Sequence, residues 1–296
     1  MTMEINDANI ETLRSCPICQ GNDFVLYVKS NCWRIVRCSS CLLLFVNPRP
    51  TEESIKKLFE NDYIDNEERV AKDFTSWRQA NLKREAKIIR SICRNGGRLL
   101  DIGTASGAFL GEFINYPEWE VEGVEPSIYA AKKAAEYYHV PVYAGFLRDQ
   151  GFDSESYDVI TSLDTFYFHP NPREDLAEIS RILKPGGYLA IELPSLQFRL
   201  LKNTGVLCKL IYGESARLNA GVHLFYYSRK TIGMLVAQFG FKEVACYPEQ
   251  SPIYGSWFAR AGNYLYYWIT SMLYHVSSGK IVLAPKEFIV YRKVDQ

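Results

Sequence analysis

Residues 98–107 read Arg98-Leu99-Leu100-Asp101-Ile102-Gly103-Thr104-Ala105-Ser106-Gly107, a short apolar run that ends in a carboxylate and enters a glycine turn. A glycine turn at the start of a helix offers backbone N–H groups to an anion, which ordinarily suits a phosphate or a dinucleotide. Asp101 on the lip of that turn would repel a pyrophosphate. It suits a ligand whose nearest groups are an ammonium and a sulfonium, while the ligand's small carboxylate rests on the helix N-terminus. S-adenosylmethionine (SAM) has that charge pattern, and a nicotinamide dinucleotide does not.

Outward from this stretch, apolar runs recur at 99–102, 121–124, 140–144, 157–163, 188–193, 244–247 and 288–291. Between them, 128–138, 173–183 and 231–239 carry helical spacing, and Lys184-Pro185-Gly186-Gly187 reads as a stop before the next strand. Strands alternating with helices predict an α/β fold, a Rossmann-like, mostly parallel seven-stranded sheet with helices on both faces. Two long connections interrupt it, 194–222 and 248–285, the second rich in Tyr and Trp. Loops of that length at a ligand edge are usually lids or substrate walls. Phe198, Tyr212, Phe225, Tyr226, Tyr254 and Trp257 suit either apolar sugar faces or core packing.

Upstream, Cys16-Pro17-Ile18-Cys19 and Cys38-Ser39-Ser40-Cys41 are two Cys-x-x-Cys knuckles eighteen residues apart. Each knuckle puts two thiolates on one tight turn, and two such turns brought together make the tetrahedral sulfur cage that Zn2+ favours. A small N-terminal zinc ribbon over 1–46 is expected, with a structural Zn2+ held by Cys16, Cys19, Cys38 and Cys41. Pro48 and Pro50 punctuate the boundary, and Thr51 and Ser54 offer N-caps to a helical linker over 47–95. The α/β domain then fills 96–296. Cys32, Cys93, Cys208 and Cys246 read as small buried hydrophobes.

The 296 residues are 47% hydrophobic, enough for a real core, and Lys plus Arg equals Asp plus Glu at 34 each. With no global positive field, nucleic acid is not an expected partner. Residues 1–15 show no export signal, so a start near Met1 and a cytoplasmic protein with reduced thiols are expected. The apolar stretch 264–276 is too short to span a bilayer but suits peripheral contact with a membrane surface. The oligomeric state is not readable.

The chain resembles the class I SAM-dependent methyltransferases, and more narrowly members with an N-terminal zinc-binding segment that act on sugars or cell-surface polysaccharides. The resemblance runs from residue 16 to about 293. It rests on Asp101 to Gly107, on Val121-Glu122-Gly123-Val124-Glu125-Pro126, on Tyr157-Asp158-Val159-Ile160 and on Arg181 to Gly187. It implies a SAM site built from Asp101, Gly103, Thr104 and Gly107, with Glu125 at a strand end taking the ribose hydroxyls. Asp149 matches the position of a carboxylate for the adenine amino group, and Asp164 flanks the cofactor or the acceptor. Ala105 stands where the family usually has glycine.

Methyl transfer needs an aligned acceptor, exclusion of water and often removal of one proton. Of four histidines, His169 and His223 are the candidate bases. His169 closes the loop after the fourth strand, where sugar-modifying relatives often carry a Glu-His pair; here Phe168 replaces the glutamate. The resemblance implies a small, sugar-linked acceptor, a nucleotide sugar or a polysaccharide precursor. The rival readings are an RNA methyltransferase that grips RNA through the ribbon, and a non-catalytic SAM-binding module.

Overall fold

Each of the seven expected apolar runs becomes a strand of one sheet. The computed structural model describes residues 9–30, 32–64, 76–203, 218, 223–250, 257–278 and 281–294. Along the chain it has the short strands β1 (Ile10–Glu11), β2 (Phe24–Ser30), β3 (Trp33–Cys38), β4 (Leu44–Val46) and β5 (Arg49–Pro50), then helices α1 (Glu52–Ile64) and α2 (Ser76–Ile92). There follow β6 (Gly97–Ile102), β7 (Trp119–Glu125), α3 (Ile128–Tyr138), β8 (Val142–Ala144), β9 (Tyr157–Leu163), α4 (Pro172–Ile182) and β10 (Leu183–Pro194). The last part has α5 (Leu196–Asn203), β11 (Phe225–Tyr226), α6 (Arg229–Ala237), β12 (Phe241–Glu249), α7 (Trp257–Val276) and β13 (Lys286–Lys293).

The large sheet runs β12-β13-β10-β9-β6-β7-β8. Its five strands from β10 to β8 pair in parallel, and β13 lies antiparallel to both β10 and β12. Chain order reverses between β6 and β9. Neighbouring residues point to opposite faces, so Leu100, Ile160 and Ile191 join one core with Ile179 and Ile182 of α4 and Ile232 and Leu235 of α6. Leu99, Val159 and Ala190 join a second core on the other face with Leu82, Ala86 and Ile89 of α2. Burial on both sides is why these strands read as near-continuous apolar runs.

Local chemistry sets the helix starts. The Thr51 hydroxyl accepts from Ser54 N at 3.3 Å and caps α1; Ser127 caps α3 through Ala130 N; Ser228 and Thr231 form a reciprocal capping box on α6. Such caps contribute about 1 kcal/mol each. His139, in the left-handed region at φ +55°, ends α3.

Several expectations change. No α-helix follows the glycine turn, only a 3-10 turn at Leu110–Glu112. Lys184 to Gly187 does not end an element before a strand: it lies inside β10 as an irregularity in its pairing with β9, between Leu183 and Tyr188. Cys32 is exposed, whereas Cys246 is buried; Cys208, Tyr212 and Tyr254 lie outside the described residues. Phe225 and Tyr226 are core rather than a sugar wall, because β11 pairs antiparallel with β4. That pairing makes the N-terminal sheet four-stranded, in the order β11-β4-β3-β2.

Candidate active site

A cavity of about 280 Å³ opens at the carboxyl ends of β6, β7 and β9, where the strand order reverses. That crevice is where open α/β sheets bind ligands, because connections leave the two central strands in opposite directions. Asp101, Gly103, Thr104, Glu125, Asp164 and His169 all line it. Gly107, Asp149 and His223 do not line it. The wall near Asp149 is made by Gly145, Phe146 and Leu147.

Asp101, at the end of β6, is 3% exposed and accepts a hydrogen bond from Thr161 Oγ1 at 2.6 Å. Burial pushes its carboxyl up to about 6, against the pull of the Thr161 hydroxyl and the Arg78 guanidinium. A cation placed beside it would recover the interaction energy that burial withholds from water.

The turn after Asp101 is tightly committed. Gly103 N and Thr104 N donate to Val124 O, Gly107 N donates to Thr104 O, and Ala105 N donates to Glu125 Oε2 at 2.9 Å. Gly103 sits at φ +75°, and a Cβ there would come within 2.7 Å of Thr165 Cγ2. Ala105 holds a left-handed φ of +51°, a strain of roughly 1–2 kcal/mol for a non-glycine residue. Gly107 serves packing: a Cβ there would meet Ala134 of α3 at 2.9 Å. Glu125 also accepts from Ser127 N at 3.0 Å, so one carboxylate ties the turn to the start of α3.

With these N–H groups engaged and no α-helix behind the turn, the positive end expected for a ligand carboxylate is missing there. The sequence reading overlooked Arg78 on α2, which lines the cavity and pairs with Glu192 Oε2 at 2.6 Å. Its guanidinium supplies a fixed cation at the same wall as Asp101. Ser106 Oγ, also lining the cavity, is buried without a partner among the described residues. A buried hydroxyl left unpaired fits a site whose ligand completes its bonding. Asp164, at φ +62°, accepts from Tyr167 Oη at 2.9 Å and pairs with Lys286 Nζ at 2.6 Å. Burial opposes its charge, but the Lys286 ammonium and the Arg78 guanidinium outweigh that and hold its carboxyl below the ordinary range.

His169 borders the cavity, and its Nδ1 lies 2.8 Å from Asp175 Oδ2 in the first turn of α4. Asp175 also accepts from Arg148 Nε at 2.8 Å. A carboxylate accepts from an N–H, so the contact orients the ring with Nδ1 toward Asp175 and leaves Nε2 as the nitrogen not engaged by it. Asp175 thus puts a carboxylate beside His169, where the resemblance led to the expectation of a glutamate at position 168. Its position was hidden in sequence, where it reads as one of the acids that open a helix. His223 instead lies behind Tyr167, stacked on its ring at 4.4 Å between centroids. Burial, and then the Arg199 guanidinium 3.3–3.4 Å from both ring nitrogens, push its pKa well below the ordinary value. It stays neutral and supports Tyr167.

Residues 72–245 match the family model described as a methyltransferase domain. The chain belongs to the methyltransferase domain family. Sterol methyltransferase-like 1 of Botryococcus braunii is 25% identical over 154 residues, 48% of this chain and 39% of that relative, so the chain spans well under half of that relative's length. A SAM-dependent methyltransferase from Thermotoga maritima superposes with a TM-score of 0.51 at 21% identity, over 81% of this chain and 99% of that one. The [4+2]-cyclase SpnF superposes with a TM-score of 0.58 at 16% identity, over 84% and 99%. The shared fold is that of SAM-dependent methyltransferases, and the cyclase shows that this fold also carries other chemistry.

Beside the methyltransferase domain, the sulfur atoms of Cys16, Cys19, Cys38 and Cys41 lie within 4.8 Å of one another. The Cys16–Cys41 and Cys19–Cys38 Sγ separations are both 3.5 Å. Tetrahedral Zn–S bonds of about 2.3 Å place sulfurs about 3.8 Å apart, so the donor set fits a closed four-thiolate site. Cys16, Cys38 and Cys41 are buried in the same core as α4 and α6 of the methyltransferase domain.

Proposed function

We propose that the chain transfers a methyl group from SAM to a small, sugar-linked acceptor, a nucleotide sugar or a polysaccharide precursor, whose attacking atom must lose a proton. The observation that carries this reading is the placement of the His169–Asp175 pair on the wall of the cavity that Asp101 and Glu125 also line. SAM, when bound, supplies a methyl already activated by its sulfonium.

Asp101 and Asp164 meet the positive groups of the donor, Arg78 meets its carboxylate, and Glu125 accepts from the ribose hydroxyls. Gly103 and Thr104 keep the turn close to the ligand. His169 Nε2 takes the proton from the acceptor, and Asp175 holds the imidazole in the correct tautomer and steadies the imidazolium that forms. Phe59, Tyr167 and Phe168 line the cavity as apolar ring faces against which a sugar can lie. Methyl transfer is supported by family membership and by the names of the relatives; the sugar linkage is supported by the resemblance and this aromatic wall. Cys16, Cys19, Cys38 and Cys41 hold a structural Zn2+ that fixes the ribbon.

The test is transfer of labelled methyl from SAM to a panel of nucleotide sugars, a sterol and RNA. Label is expected in a nucleotide sugar. Label confined to the sterol or to RNA overturns the acceptor assignment, and no transfer to any fraction of a cell extract overturns the reaction. His169→Ala is expected to lower turnover by roughly 10²–10⁴ with SAM affinity unchanged. Asp175→Asn should lower turnover less and shift its pH profile.

A further inference from the structure

We propose that Arg148 is a positioning residue that couples the seating of α1 over the donor pocket to the orientation of His169. Arg148 belongs to the 3-10 turn Leu147–Asp149 that follows β8, next to the cavity-wall residues Phe146 and Leu147. Its guanidinium meets carboxylates from both α1 and α4. Nε donates to Asp175 Oδ1 at 2.8 Å, Nη1 to Glu174 Oε2 at 2.6 Å, and Nη2 to both oxygens of Glu52 at 2.9 Å. A planar fork with several donors can hold groups from separate directions at once, whereas a lysine ammonium is a single point of charge.

These contacts are unequal. Glu174 is 63% exposed, so water screens its pair with Arg148 and it holds little. The side chains of Asp175 and Glu52 are 6% and 33% exposed, which leaves these two to fix the guanidinium. Asp175 divides its oxygens: Oδ1 accepts from Arg148, and Oδ2 faces His169 Nδ1 at 2.8 Å. Holding one oxygen sets the direction of the other. Asn171, just past His169 in the chain, also donates to Glu52 Oε2, so Glu52 is tied to the His169 loop as well as to Arg148.

Glu52 opens a helix that lies along the cavity. Ile55 and Phe59 of α1 line it, and the Phe59 ring meets the Phe168 ring edge-on at 5.4 Å between centroids. Farther along α1, Glu60 Oε1 accepts from Ile128 N, at the start of α3, at 3.2 Å. The helix is thus fastened to α4 through Arg148 and to α3 through Glu60, with its apolar residues between them against the donor pocket. A ligand that packs under Ile55 and Phe59 seats α1, and Glu52 passes that seating through Arg148 to Asp175. The coupling is reciprocal, so an oriented Asp175 strengthens donor binding to the same extent. Its use in catalysis rests on the reading of His169 as the base, which is then fully oriented only beneath a bound donor.

The test uses the full chain with S-adenosylhomocysteine and no acceptor, so it reads the coupling whether or not His169 is the base. The tautomer of the His169 ring is followed by nitrogen NMR in mildly alkaline buffer, its signal assigned by its loss in His169→Gln. S-adenosylhomocysteine is expected to raise the share of the Nδ1–H form in the wild type and to leave it unchanged in Arg148→Met and in Glu52→Gln. Each variant should bind S-adenosylhomocysteine roughly fivefold or more weakly by calorimetry, and the double variant no more weakly than either single one. Arg148→Lys should keep the melting temperature without restoring the ring response, which separates the fork from a cation that merely stabilises the turn. A ring signal that answers the ligand alike in wild type and Arg148→Met overturns the proposal. So does a lysine that restores the response, or a double variant whose losses add. If Arg148→Met fails to fold, Glu52→Gln decides, and a wild-type response there overturns the proposal. Unchanged turnover in His169→Ala would instead remove the base and leave this coupling standing.

Discussion

At the scale of a residue, Asp101 links ligand charge to stability. Its carboxyl, raised from 3.8 to about 6, holds a proton in the folded chain where the unfolded chain has released it. The ligand-free fold therefore keeps the full contribution of this group below about pH 4 and loses it as pH rises through about 6. The loss is on the order of 3 kcal/mol for a carboxyl this buried. Asp101→Asn should consequently raise the ligand-free melting temperature at pH 8, while SAM affinity by calorimetry falls by roughly tenfold or more, the size of one lost charge contact. Wild-type affinity should itself weaken as pH drops below 6. An Asn variant that binds SAM as tightly as wild type would place the donor elsewhere.

At the scale of an element, the four cysteines of the ribbon converge through two local turns, yet its sheet is completed from far along the chain. Phe225 and Tyr226 of β11 pair with Phe45 and Leu44 of β4, and Val46 N donates to Leu224 O at 2.9 Å. Cys16→Ser should release bound zinc and, since an incomplete thiolate set no longer anchors the knuckles, lower the melting temperature. Because Cys16, Ile18, Leu43 and Phe45 share one core with Ile179 and Ile289, the drop should come in one transition for the whole chain rather than two. Calorimetry of the zinc-loaded and chelated protein checks this. The two knuckles were plain in sequence because ligand spacing is local. The partner strand was not, because two residues carry no periodicity.

At the scale of the whole molecule, a buried ion network joins α2, β10, β13 and the loop after β9. Lys286 Nζ lies 2.6 Å from Asp164 and 3.1 Å from Glu192, and Arg78 reaches the other oxygen of Glu192. Glu85, buried on α2 with no hydrogen-bond partner among the described residues, is pushed well above the ordinary carboxyl range, first by burial and then by the Glu192 charge. It is therefore held neutral. Lys286→Met leaves the buried Glu192 and the partly exposed Asp164 short of a cation, and a loss of roughly 3 kcal/mol is expected in urea unfolding. Loss of Asp164's anchor should also weaken SAM binding.

The sequence by itself determined the seven strands, the two helices after β7 and β9, the four-thiolate set and three carboxylates at strand ends, because periodicity, capping and motif spacing act over a few residues. Only the tertiary structure could point to Arg78 rather than a helix end as the proposed cation, to Asp175 rather than residue 168 as the proposed partner of His169, and to His223 as a neutral support behind Tyr167. Those roles come from side chains brought to one crevice by separate elements, and from the burial and charge that surround them there.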